Sequence, residues 1–284
     1  MHVLIRYMKN RKYVKDFMAG NLYMNTLDYF WNNGFPEQKD IHEGVVCTIS
    51  PDKWNIFPDD LVQVQATDYR LRASGYRYCN VLCFYSVECQ ILGELGSHVA
   101  VDWQHGAKMD EFGDYVVMIT DEQEFLRRIG KAISNNGFYF LCGNVRYHAL
   151  KKDGVLTPAG PQLQLMMQEE LDIKTQIPKD VITTNRDSFD KGIMYKGQSE
   201  WRVSLYRGVK DTAAYTLQVG NLDDIAVWVK ASQFETEMSH LLQSGKIHFD
   251  RCHNGFYGNI CRKELREAFY RLGENKGTLF ATVG

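Results

Sequence analysis

Glu200 lies in the phrase Gln198-Ser199-Glu200-Trp201-Arg202, between Tyr195-Lys196-Gly197 and the strand-like run Val203-Ser204-Leu205-Tyr206. A carboxylate at the entrance of a strand, just after a turn, can point into a cleft. There it stabilises a developing cation or accepts protons from the hydroxyls of a sugar. The same spacing also suits a purely structural role, because Glu200 and Arg202 are two apart and share one face of a strand, where they can pair with neighbours on a solvated surface.

Arg6 is the second chemically pointed residue. It interrupts the apolar run His2–Met8 and is followed by Tyr7. A guanidinium inside a buried strand is costly unless an anion meets it, so either a phosphate or an internal acid such as Glu43 or Glu200 is expected beside it. Tyr23 and Asn25 alternate on one strand face, with Tyr29 and Phe30 beyond them. They are able to stack and hydrogen-bond a flat ligand such as a nucleobase or nicotinamide, or to serve as core tyrosines with their hydroxyls at the rim. Asp40 and Glu43 would begin a metal-held carboxylate set of the nuclease kind, but no PD-(D/E)xK-like phrase completes it. His42 and His148 are each lone, and Cys83 lies in an apolar strand, where a thiol is normally inert.

The phrases GxxxxGK[ST], GxSxG and HExxH, and a GxGxxG following a strand, are absent, which disfavours P-loop NTPases, α/β-hydrolases, zinc peptidases and dinucleotide dehydrogenases. A formal net charge of −2 over 284 residues argues against a wholesale electrostatic grip on nucleic acid or anionic lipid, although a local basic groove is compatible with it. The seven cysteines, an odd number placed mostly in strand-like runs, fit a reducing compartment. Cys79, Cys83 and Cys89, and the group His248, Cys252, His253 and Cys261, lack a CxxC pair, so no metal site is expected. The first apolar run breaks at Arg6 and no later one approaches a membrane span, so the chain reads as cytoplasmic without membrane contact.

The elements that must position these groups follow from periodicity. Residues 2–8 read as a strand. Arg11–Gly20 follow as a short amphipathic helix with Tyr13, Phe17 and Met18 inward, and a second strand runs Leu22–Phe30. Short β-branched and aromatic runs at Asn80–Glu88, His98–Trp103 and Asp114–Ile119 mark the sheet core, and Leu61–Ala66 gives a weaker strand signal. Thr120 is the expected N-cap of a helix burying Phe125, Leu126, Ile129, Ala132 and Ile133. Phe138–Gly143 and Asn144–Leu150 read as paired strands, and Gln162–Leu171 as a helix. Residues 151–189 read as an inserted lobe or lid. Two strand-like runs surround the turn before Glu200, two further strands follow, and helices at Gln233–Gln243 and Cys261–Gly273 close the chain. Strands outnumber helices without regular alternation, which predicts one α+β domain over 1–284, with a twisted, mainly antiparallel or mixed sheet and peripheral helices.

Four phrases in this order resemble a bacterial domain family of unassigned function from phage-defence genomic islands. They are Phe17 to Tyr23 (F-x-x-G-x-L-Y), Asp40 to Glu43 (D-x-x-E), Cys83 to Ser86, and Lys191 to Arg202, which ends in Q-x-E-W-R. A further likeness is to ADP-ribosyltransferases, which carry an Arg or His on the first strand and a Gln-x-Glu or Glu-x-Glu turn before a late one. Arg6 and Gln198-x-Glu200 hold those places, and Cys83-Phe84-Tyr85-Ser86 stands where the Arg-containing class has Ser-Thr-Ser. This resemblance implies an ADP-ribosyltransferase-like fold and NAD, or another nucleotide, as ligand, with a nucleic acid or protein as acceptor. In that reading Arg6, with Tyr7 beside it, clamps the dinucleotide phosphates. Tyr23 or Tyr85 stacks on the nicotinamide, with Asn25 and Ser86 in the same binding surface. Glu200 supports the ribose and Gln198 orients the acceptor. The other class of function is a non-catalytic nucleotide- or partner-binding module of a defence system.

Overall fold

The computed structural model describes residues 2–32, 43, 45–49, 69–73, 77–95, 98–104, 112–148, 164–166, 174–176, 188–244, 257–258 and 279–283. Strand β1 (His2–Met8) buries Val3, Leu4, Ile5 and Met8. Asn10 caps helix α1 (Arg11–Met18), its Oδ1 accepting from the Tyr13 N–H at 3.1 Å. The buried residues of α1 are Val14, Phe17 and Met18, a three-to-four spacing that leaves Tyr13 55% exposed rather than inward. Strand β2 (Asn21–Thr26) stops short of the expected Phe30, because the Thr26 hydroxyl accepts from the Tyr29 N–H at 3.3 Å and starts helix α2 (Leu27–Asn32).

Strands β3 (Val45–Ile49) and β4 (Tyr69–Ala73) make a small antiparallel sheet with the C-terminal β17 (Leu279–Val283). The spine of the molecule is β5 (Asn80–Leu95), continued by β6 (His98–Gln104), β7 (Tyr115–Ile119), helix α3 (Glu122–Asn135) and β8 (Tyr139–Asn144). Asp121, not Thr120, caps α3. Its Oδ1 accepts from the Glu124 N–H at 2.9 Å, while the backbone N–H of Thr120 is committed to the Ile225 carbonyl. The face of α3 is as expected, with Phe125, Ile129 and Ile133 buried.

Strand β9 (Arg146–His148) pairs in parallel with β12 (Asp190–Gly192) rather than with β8, whose two edges are taken by β13 (Glu200–Tyr206) and β16 (Tyr257–Gly258). Between them β10 (Gln164–Met166) pairs with β11 (Lys174–Gln176), so a strand stands where a helix over 162–171 was expected. Strands β14 (Tyr215–Gln218) and β15 (Ala226–Lys230) and helix α4 (Phe234–Gln243) follow. Most of 151–189, the run Leu61–Ala66, the helix expected at Cys261–Gly273, and Asp40 and His42 lie outside the described residues, as does the side chain of His148.

The main sheet runs β15-β7-β1-β5-β13-β8-β16 with every neighbouring pair antiparallel, and helices lie against both faces, consistent with a single α+β domain. One face carries Phe17, Phe84, Phe125 and Trp201, with Phe84 edge-on to Phe125 at 5.6 Å and to Trp201 at 5.8 Å. Against the other face α4 packs Phe234 and Met238 on Val3, Ile5, Val116 and Met118. No helix among the described residues is long and apolar enough to cross a membrane.

One feature of the register decides where a ligand can enter. β13 holds one edge of β5 from Asn80 to Tyr85. On the other edge β1 pairs His2–Ile5 with Glu88–Tyr85, and β2 pairs Asn25 and Thr26 with Val81 and Asn80. Both run antiparallel to β5, so continuing each register would set Arg6–Met8 and Leu22–Met24 against the same three residues, Leu82–Phe84. Two strands cannot share one edge. They diverge instead, β1 continuing along β7 and β2 along β14, and the sheet is split over Leu82–Phe84.

Candidate functional site

The split holds a cavity of ≈ 820 Å³, within the size range of small-molecule sites. Its walls are Arg6 to Met8 from β1, Lys9 just beyond it, and Asn21, Tyr23 and Asn25 from β2. Cys83 to Tyr85 line its floor, and Gln198 and Glu200 border it further on. Six of the sequence candidates besides Arg6 therefore share its lining: Tyr7, Tyr23, Asn25, Tyr85, Gln198 and Glu200. Ser86 does not. It pairs with Leu4 beyond the end of the split, is buried, and gives its backbone N–H to the Ser199 carbonyl.

Arg6 owes its place to the divergence of the strands. By alternation it leaves β1 with Leu4 and Met8, while Glu200 lies with Tyr85, its cross-strand partner. Where β5 lacks a strand neighbour, the half-buried Arg6 guanidinium reaches the edge and Nη1 donates to the Cys83 carbonyl. Neither Glu43 nor Glu200 takes it, and the described residues offer its other N–H groups no acceptor. Burial draws its pKa down, and the nearby Cys83, Tyr85 and Glu200 oppose that only in part. A guanidinium at a cavity wall with donors to spare suits an anion.

Glu200 is presented by a local device. After β12, a 3-10 helix (Ile193–Gln198) ends at Ser199, which adopts a left-handed conformation at φ 40°, and Glu200 is the first residue of β13. The Glu200 N–H donates to the Tyr147 hydroxyl at 2.7 Å, and no motif or spacing marks Tyr147 in the sequence. The carboxylate belongs to a closed ring of four buried charges. Oε1 accepts from Arg202 Nε at 2.9 Å and Nη2 at 2.7 Å, and Oε2 from Lys191 Nζ at 2.7 Å. Arg202 Nη1 donates to Glu43 Oε1 and to the Ser188 carbonyl, and Lys191 Nζ lies 3.7 Å from Glu43 Oε2. Glu200 and Arg202 thus pair with each other in the interior, not with neighbours on a solvated surface. Gln198 is tied to the same ring, its Oε1 accepting from Lys191 Nζ at 3.1 Å.

The electrostatics follow from burial against partners. Burial would raise the Glu200 pKa, but Arg202 and Lys191, with a hydrogen bond from the Cys83 thiol, outweigh it and hold the group down to about 2. Burial alone would lower that of Arg202, but Glu200 and Glu43 outweigh it and keep the guanidinium charged. Burial and the Glu200 carboxylate push the Cys83 thiol up to about 12 and raise the Tyr85 and Tyr147 phenols. Glu200 is therefore an anion at every physiological pH. It can stabilise positive charge or bind hydroxyls, and it is a poor proton carrier.

Tyr85 stands edge-on to Tyr7 at 5.8 Å and against Phe112 at 5.3 Å, which makes an aromatic corner beside Glu200. Tyr23, 55% exposed, donates its hydroxyl to Asn25 Oδ1 at 3.1 Å. The four-charge ring cancels itself, and Arg6 and Lys9 outnumber Asp16 in the rest of the lining, so the cavity carries a small positive excess. Among the described residues, no three His, Cys, Asp or Glu side chains are grouped to hold a metal ion. Compared with protein-family models, curated proteins and solved structures, the chain matches none.

Proposed function

We propose that the cavity binds NAD and that the protein is an ADP-ribosyltransferase-like enzyme, in fold and in reaction, modifying a nucleic acid or a protein. The observation that carries this reading is that β1, β5 and β13 lie side by side and bring Arg6, Tyr85 and Glu200 to one cavity at the split. Arg6 supplies unpaired donors for the pyrophosphate, and Tyr85 with Phe112 offers a ring surface for nicotinamide. Glu200, held ionised, faces the ribose carbon at which positive charge develops as nicotinamide departs. The C–N glycosidic bond breaks with its electron pair going to nicotinamide, and the acceptor's nucleophile forms the new bond to that carbon. In this reading Gln198 orients the acceptor. A role as a toxin or phage-defence effector agrees with the four-phrase resemblance.

A second reading is favoured by the saturation of Glu200. Both of its oxygens are already bonded to cations, which lowers what it can give to a transition state and suits a module that binds a nucleotide without turning it over. Incubation with NAD and measurement of free nicotinamide separates the two. Release by the wild type that falls at least a hundredfold in Glu200→Gln, measured on a variant whose circular dichroism matches the wild type, supports the enzyme. Saturable NAD binding with no release in the presence of cell extract as acceptor source supports the sensor, and absence of both overturns the shared premise.

A further inference from the structure

The β2–β14 ribbon presents an unusual outer face. Cross-strand pairing sets Thr216 beside Tyr23 and Gln218 beside Asn21, and alternation adds Asn25 to the same side. Along β2, Leu22, Met24 and Thr26 are buried while Tyr23 is exposed between the intermediate Asn21 and Asn25. Along β14, Leu217 is buried between exposed Thr216 and Gln218. One large ring thus lies open, surrounded by four neutral amide or hydroxyl side chains, and all five residues line the cavity.

We propose that this face is the seat of a purine base, the adenine of the dinucleotide, stacked on Tyr23. The inference rests on the NAD reading and extends it to the other end of the ligand. Three observations select a base over other occupants. The face carries no charged side chain, so it does not suit a phosphate, whereas Arg6 stands across the split from it on β1. The Tyr23 ring is tethered by its hydroxyl to Asn25 Oδ1, which fixes the platform and leaves the Asn25 amide N–H groups free to donate to a ring nitrogen. Finally, Tyr23 stands on β2 where that strand has left β5 for β14, whereas Tyr85 stands on β5 itself. The cavity thus offers two aromatic stations on different strands, with Arg6 in the same lining.

The test uses the two halves of the dinucleotide as probes. Adenosine monophosphate and nicotinamide mononucleotide are titrated into the wild type, Tyr23→Ala and Tyr23→Phe by calorimetry. Stacking on an aromatic ring predicts that Tyr23→Ala weakens adenosine monophosphate tenfold or more. Tyr23→Phe stays within about threefold, and nicotinamide mononucleotide binds all three alike. An exposed residue can be truncated without loss of the fold, and unchanged circular dichroism checks that. Adenosine monophosphate affinity unmoved by Tyr23→Ala, or both probes weakened equally, overturns the platform even if nicotinamide release persists. Conversely, an adenosine monophosphate site that depends on Tyr23 in a protein that releases no nicotinamide sustains the platform and removes only the catalytic reading.

Discussion

Replacing Glu200 by Gln preserves shape and one acceptor but removes an anion that faces two cations in the interior. At neutral pH this leaves Lys191 and Arg202 to share the Glu43 carboxylate, and removing one member of a buried ion pair costs about 3–5 kcal/mol. The depressed acidity of Glu200 gives a figure of the same order. The group is held down from an ordinary 4.5 to about 2, which corresponds to stability on the order of 3 kcal/mol. The sign follows from linkage. A depressed carboxyl stabilises the fold fully above its unfolded value, and that contribution is lost as pH falls from about 4.5 toward 2. Once protonated, Glu200 is nearly isosteric with Gln and the two proteins converge, while carboxylates remote from the ring contribute equally to both. Urea unfolding of wild type and Glu200→Gln at pH 7, 4.5, 3.5 and 2.5 reads the difference directly. The expected result is a gap of about 3 kcal/mol or more at pH 7 that shrinks steadily below pH 4.5. A gap that stays constant down to pH 2.5 would refute the charge-ring argument.

Arg6→Leu is expected to weaken NAD binding at least tenfold, the loss of one or more charge-assisted hydrogen bonds, and to flatten the salt dependence of binding; equal affinity in wild type and variant contradicts the phosphate role. The Cys83 thiol, pushed up to about 12, should resist a disulfide reagent at pH 8 in the folded protein and react only on unfolding, so labelling at the rate of an exposed thiol would be inconsistent with its place against Glu200. Phe84→Ala removes the ring shared by Phe17, Phe125 and Trp201 and should lower stability by about 3–5 kcal/mol in urea unfolding; a change below about 1 kcal/mol would show that the cluster repacks around the loss.

The local signals in the sequence located most elements around the site. The polar turn before an apolar strand marked Glu200, and the spacing of Phe125, Ile129 and Ile133 marked α3. Tyr13 and Val14 show the limit of that reading. Both fit an amphipathic pattern, and the face that is buried depends on what α1 packs against, which is tertiary information. Thr26 reads as a strand residue until its hydroxyl is seen to cap the next helix. The split itself was not legible, because it arises from two strands competing for one edge of a third at registers fixed by contacts about 80 residues apart in one case and 55 in the other. The partner of Arg6 was likewise out of reach, since a backbone carbonyl has no sequence signature. Arg202 looked like a surface residue because Glu43, 159 positions away, closes the ring that makes its burial tolerable.

If the cavity binds NAD, Arg6 and Glu200 serve one ligand. A crystal structure of the protein soaked with a non-hydrolysable NAD analogue tests that most directly. It should place the pyrophosphate within hydrogen-bond distance of Arg6 and the nicotinamide ribose against the Glu200 carboxylate, in the cleft over Leu82–Phe84. An analogue bound elsewhere, or touching one of the two side chains while the other faces protein alone, would contradict it.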